Sequence, residues 1–134
     1  MLRFLLSCAA TAVVITGSSA SAETRVVDKE VTVTSGESAR IGIYGRVTPE
    51  CTNAPVDITL EAKALNGTVT AKEGRLSAGA VPECPSLAAH AAAIFYKSAP
   101  GFVGNDRAAI TVTTDEGRRE RHEYSIIVER KPGS

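Results

Sequence analysis

Apolar residues in this chain recur at every second position, and that period settles the fold class before any motif is read. Val56, Ile58 and Leu60 alternate with Asp57, Thr59 and Glu61. Ala108, Ile110 and Val112 alternate with Arg107, Ala109, Thr111 and Thr113, and Tyr124, Ile126 and Val128 form a third row. Such spacing turns one face of each strand to a core and the other to water. Residues 25–34 carry a weaker version, Val27, Val31 and Val33, interrupted by Asp28-Lys29-Glu30; residues 39–44 carry Ala39, Ile41 and Ile43.

Turn signals punctuate these rows at Ser35-Gly36-Glu37, Asn66-Gly67, Glu73-Gly74, residues 98–105 and Asp115-Glu116-Gly117. The pattern predicts strands at 25–34, 39–44, 55–61, 68–71, 91–97, 106–114 and 119–130. Residues 77–90, rich in Ala, Pro and Ser, read as loop, with room for one helical turn at Leu87–His90. About seven short strands at this spacing indicate an all-β, antiparallel sandwich of the immunoglobulin-like kind; a closed barrel would need a clearer even strand set. The 25–34 strand, with its charged interruption, is the candidate sheet edge.

The first 22 residues stand apart. Met1-Leu2-Arg3 is a short positive start, Phe4 to Ile15 is apolar, and Ala20-Ser21-Ala22 fits the small-x-small pattern of signal-peptide cleavage. The apolar run is too short for a membrane span. It continues past Cys8, so Cys8 reads as an apolar signal residue and not as a lipidation site. The expected organisation is a signal peptide at 1–22, one domain at 23–131 and a tail at 132–134, in a periplasmic or secreted protein. Of the 15 Lys+Arg only Arg3 is lost with the signal, against 15 Asp+Glu in the remainder. A chain so nearly neutral has no pull toward nucleic acid or an anionic membrane.

Export leaves two cysteines, Cys51 and Cys84, each in Pro-Glu-Cys. An even pair in an oxidising compartment predicts a disulfide. If 66–71 runs opposite to 55–61, both cysteine loops and the 115–118 hairpin lie at one end, and the disulfide joins end loops without crossing the core.

Tyr96-Lys97-Ser98-Ala99-Pro100-Gly101-Phe102-Val103-Gly104-Asn105-Asp106 reads Y-x-x-x-P-G-F-x-G-x-D. This resembles the repeat signature of bacterial cadherin-like and immunoglobulin-like domains of large secreted and surface proteins. In that family an alternating strand and an acidic-Gly turn follow the aspartate, as Ala108-Ile110-Val112 and Asp115-Glu116-Gly117 do here. Asn66-Gly67-Thr68-Val69 is similar to the family's G-T-V strand start. The chain departs from the pattern at Ala108 and Ile110, where the family carries aromatics, and lacks the paired acidic motif of calcium-binding cadherins. The resemblance thus implies a sandwich, and neither adhesion nor calcium. Read physically, Pro100-Gly101 sets a tight turn, Phe102 inserts into the core, Gly104 permits a second bend and Asp106 accepts backbone N–H groups across the loop.

Reactive constellations are missing from the sequence. His90 and His122 form no His-x-His or His-Glu-x-x-His, no Gly-x-Ser-x-Gly elbow or phosphate loop occurs, and Met1 is the only methionine. Tyr44, Tyr96 and Tyr124 lie in strand patterns and there is no Trp, which weakens a sugar-binding reading. The expectation is a non-enzymatic domain without cofactor or metal, acting as an interaction or structural module for an envelope or extracellular protein. A small-ligand or ion site in the loops of the cysteine end, built from Glu50, Glu83, Asp115 and Glu116, is the alternative. An enzyme, or an inhibitor of one, has no positive support in the residues.

Overall fold

A computed structural model describes residues 13, 14, 17 and 23–133. The signal-peptide expectation, with Cys8 and the Ala22 boundary, falls outside the described residues. Nine strands follow in chain order among those described: β1 (Thr24–Thr34), β2 (Ser38–Tyr44), β3 (Arg46–Val47), β4 (Asn53–Ala54), β5 (Val56–Ala62), β6 (Gly67–Arg75), β7 (His90–Ser98), β8 (Gly104–Thr114) and β9 (Arg119–Glu129). No described helix is long and apolar enough to cross a membrane.

Seven of these strands build a sandwich. One sheet has four strands in the order β1-β9-β8-β5, and the other has three in the order β2-β7-β6. The two-residue strands β3 and β4 pair only with each other. The alternation in the sequence becomes the core: Ile94, Tyr96, Ile110, Tyr124, Ile126 and Val128 are fully buried, joined by Val33, Ile41, Ala108 and Val112. Their inward rows interdigitate between the sheets, where removal of apolar area from water supplies the main stabilisation.

Four sequence expectations are corrected. The sheets are not wholly antiparallel, because β1 pairs parallel to β9 over its full length. Both strands start at the cysteine end, and the turn at Ser35-Gly36-Glu37 carries the chain from β1 across to β2 in the other sheet. Second, Asn66-Gly67 does not close a hairpin. β5 pairs with β8 and β6 with β7, so residues 63–66 cross between sheets. Third, Glu73-Gly74 is not a turn: β6 continues in regular register to Arg75 opposite His90, and the ladder overrides the local turn preference of the Glu-Gly pair. Fourth, Leu87–His90 forms no helix, and Leu76 N–H instead bonds the Ala89 carbonyl to prolong the β6–β7 pairing.

A bulge in β2 changes one facing. Register shifts between Arg40 and Gly42, so that Ile41 is buried but Ile43 is 40% exposed, and Tyr44 turns inward in its place. Gly42 permits this, since a Cβ there would meet the hydroxyl of Tyr124 and the ring of Tyr44.

Candidate functional site

The loop motif at 98–106 is built as internal bracing. Gly101 and Gly104 adopt φ of 80° and 139°, conformations that favour glycine. Phe102 packs against the core, and its carbonyl accepts the Ser35 hydroxyl at 2.6 Å. Ser98, itself buried, accepts Gly36 N–H at 2.8 Å, so the loop is tied to the β1–β2 turn. Pro100 sits in the exposed turn beside Gly101. Asp106 is buried and takes four hydrogen bonds: Leu65 and Arg107 N–H to Oδ1, Asn66 N–H and the Tyr96 hydroxyl to Oδ2. These donors use the carboxylate's acceptor capacity. Burial alone would push this carboxyl up; the bonds from Tyr96 and from the amides of Arg107, Leu65 and Asn66 outweigh it and hold the group below the usual carboxylate range.

The cysteine end gathers most of the charged loops. Cys51 and Cys84 form a disulfide between the β3–β4 loop and the β6–β7 loop, at the end where β8 turns into β9. Arg46 forks onto that turn, with one guanidinium nitrogen on Asp115 and the other 2.6 Å from Glu116 Oε1. Asp115 and Glu116 are thereby taken up by a cation of the same chain. Among the described residues no group of three or more His, Cys, Asp or Glu stands close enough to hold a metal ion. Glu50 and Glu83 therefore do not join Asp115 and Glu116 in an ion site. A cleft of about 650 Å³ opens here between the sheets, lined by Arg25, Tyr44, Arg46, Val112 and Glu120 among others.

Deeper at the same end lies a polar cluster that the alternation does not reveal. Tyr44 and Tyr124 share a hydrogen bond between their hydroxyls, and Lys29 Nζ, from the inward row of β1, donates to Tyr44 at 3.2 Å. The Tyr44 ring packs on the His122 ring with centroids 4.5 Å apart. His122 is 3% exposed. Glu120 Oε1 approaches its Nε2 to 2.7 Å without hydrogen-bond alignment, and Nδ1 has no partner. Burial, reinforced by Lys29, holds this imidazole below its ordinary pKa despite Glu120. The bulge that turns Tyr44 inward assembled the cluster, and a bulge leaves no reliable mark in a single sequence.

The opposite side of the sandwich is open. On β5 the inward row runs from half-buried Val56 and Ile58 to Leu60, 41% exposed. On β6 Val69 is half-buried and Ala71 exposed, although their partners Tyr96 and Ile94 are fully buried. Leu65, in the crossing between them, is 91% exposed. Toward the cysteine end the same side holds a cleft of about 640 Å³ between β5 and β6, lined by Val56, Asp57, Glu73, Arg75, His90 and Ala92 among others.

β6 is also the edge of its sheet. Beyond its two ends, Ala99 N–H bonds the Asn66 carbonyl and Leu76 N–H bonds the Ala89 carbonyl. In an antiparallel ladder hydrogen-bonded pairs alternate. Thr68, Thr70, Lys72 and Gly74 therefore direct their backbone groups to β7, while Gly67, Val69, Ala71, Glu73 and Arg75 direct theirs to the open edge. The β6–β7 register has no bulge, and residues 67–71 carry no charge.

The remaining edges are better protected. β1 is an edge, in agreement with the reading of 25–34, but it places Asp28 and Glu30 on its outer face and Lys29 on its inner one. β2 and β5 are each interrupted by a bulge. Inward charges and bulges are devices that discourage pairing at an edge. Comparison with protein-family models, curated proteins and solved structures finds no match.

Proposed function

We propose that this chain is an exported, non-enzymatic domain of the cadherin-like or immunoglobulin-like kind, acting in the cell envelope as a protein-interaction module. The observation that carries the reading is the free edge of β6. It combines a regular row of unpaired backbone groups with the half-covered apolar side chains of Ile58, Leu60 and Val69. Exposed edges of this kind bind extended polypeptide by adding it as a further strand. The three-stranded sheet has room for that strand over β5, where the four-stranded sheet lies uncovered. The capture edge is thus placed at β6 and not at β1. The 96–106 motif supports the family likeness, and the first 22 residues support export.

Two measurements test this. Fractionation with N-terminal sequencing should find the mature protein in the periplasm or medium, beginning at Glu23; retention in the cytoplasm with Met1 intact would refute export. Affinity capture from envelope extract should give a partner that is lost with Ala71→Pro. Capture unchanged by that variant would refute the β6 edge.

A second reading has one observation in its favour, the cleft of about 650 Å³ beside Arg46 at the disulfide end. A small ligand bound there would raise the melting temperature in proportion to its concentration. Absence of any shift across calcium and sugar titrations would dispose of it.

A further inference from the structure

We propose that the β6 edge selects an extended partner segment, running antiparallel to β6, whose inward side chains follow the order acidic-x-basic-x-apolar-x-apolar; this rests on the interaction-module reading. The residues of β6 that present free backbone groups also carry the inward side chains, because Val69, Ala71, Glu73 and Arg75 stand opposite the inward Tyr96, Ile94, Ala92 and His90. A strand added there would place its own inward row directly opposite this one, since facing residues of an antiparallel pair point to the same side.

The row is chemically graded. Val69 and Ala71 are apolar and lie on the side where Ile58 and Leu60 of β5 are incompletely covered. Glu73 and Arg75 are exposed, border the cleft of about 640 Å³, and appear in none of the ion pairs of the domain. Two opposite charges on an inward row, without partners in the chain, are complementary to a basic residue opposite Glu73 and an acidic residue opposite Arg75. The antiparallel direction follows from the stronger ladder it gives per residue. Read from its own N-terminus, the partner then meets Arg75 first and Val69 last. Backbone pairing supplies affinity without regard to sequence, and the Glu73–Arg75 pair fixes register, because a slip of two positions sets like charges or an apolar residue against them.

The probe is a fluorescein-labelled peptide, Thr-Asp-Thr-Lys-Thr-Val-Thr-Val-Thr, with a second peptide in which Asp and Lys are exchanged. Fluorescence polarisation should show the first binding the mature domain at least about fivefold more tightly than the second. The double variant Glu73→Lys, Arg75→Glu should reverse that preference, and its melting curve checks that the fold is kept. Ala71→Pro should abolish binding of both peptides. Equal binding of the two peptides by the unaltered domain, together with loss in Ala71→Pro, would overturn the charge register while leaving strand addition at β6 intact. Failure of both peptides to bind, with envelope capture insensitive to Ala71→Pro, would overturn both.

Discussion

The Tyr96 hydroxyl donates to Asp106 Oδ2 at 2.8 Å, joining the middle of the three-stranded sheet to the start of a central strand in the four-stranded one. Through Leu65 and Asn66 the same carboxylate holds the crossing from β5 to β6, so one buried acid sets both the sheet-to-sheet spacing and the entry to the proposed binding edge. Tyr96→Phe should cost about 1–2 kcal/mol, the penalty of one missing bond to a buried charge. Asp106→Ala, which orphans four donors, should cost roughly 3 kcal/mol or more. Urea unfolding of the two variants checks the ranking; equal losses would contradict it.

Acid should weaken the fold through the same residue. The folded Asp106 carboxyl sits below the unfolded value of about 3.9. Its stabilisation is therefore complete above the unfolded value and is lost as pH falls through that value toward the folded one. Asp106→Asn should be less stable at neutral pH and should lose this part of the acid dependence. Unfolding free energies of both proteins measured between neutral pH and pH 3 provide the comparison.

His122 should act in a neighbouring window with a different origin. Its folded pKa lies below the ordinary value of about 6.5, so the unfolded chain takes up the proton first. Stability is thus greatest above that value and declines as pH falls below it toward the folded pKa. His122→Phe should flatten the decline between pH 7 and pH 5, and a slope as steep as that of the unaltered protein would show that another group causes it.

Removing the disulfide should be costly without disordering the core, since it joins end loops separated by 33 positions. The loop-entropy estimate gives roughly 3–4 kcal/mol for Cys51→Ser with Cys84→Ser. Thermal melts with and without reductant check this, with the unaltered protein approaching the variant when reduced.

The edge of β6 makes an unusual pair of proline substitutions informative. Thr70→Pro removes a ladder bond to β7 and should cost about 1–3 kcal/mol, whereas Ala71→Pro removes an N–H that points to solvent and should cost less than about 1 kcal/mol. Denaturant midpoints that rank the other way would show that the alternation along β6 has been assigned out of phase.

Much of this architecture was legible in the residues, and the exceptions have physical causes. Alternation at 56–60, 108–112 and 124–128 located three strands because each has one face on the core. Pairing of Cys51 with Cys84 followed from composition, and the common end of the cysteine loops from strand directions. Partner choice was not legible: nothing local in Asn66-Gly67 distinguishes a hairpin from a crossing fixed by Asp106, forty residues away in the fold. Nor did the sequence disclose that β6 runs on to Arg75, since that extension depends on β7 lying beside it. The binding edge emerged only when sheet order set β6 at the margin, above an incompletely covered β5.

The most direct test of the account is residue-resolved amide hydrogen exchange along β6 in the mature domain, alone and saturated with the captured partner or the peptide. In the free domain Thr68, Thr70 and Lys72 should exchange slowly and Val69, Ala71 and Glu73 rapidly; on binding, the second set should become slow as well. Fast exchange at Val69, Ala71 and Glu73 in the complex would contradict strand addition at this edge.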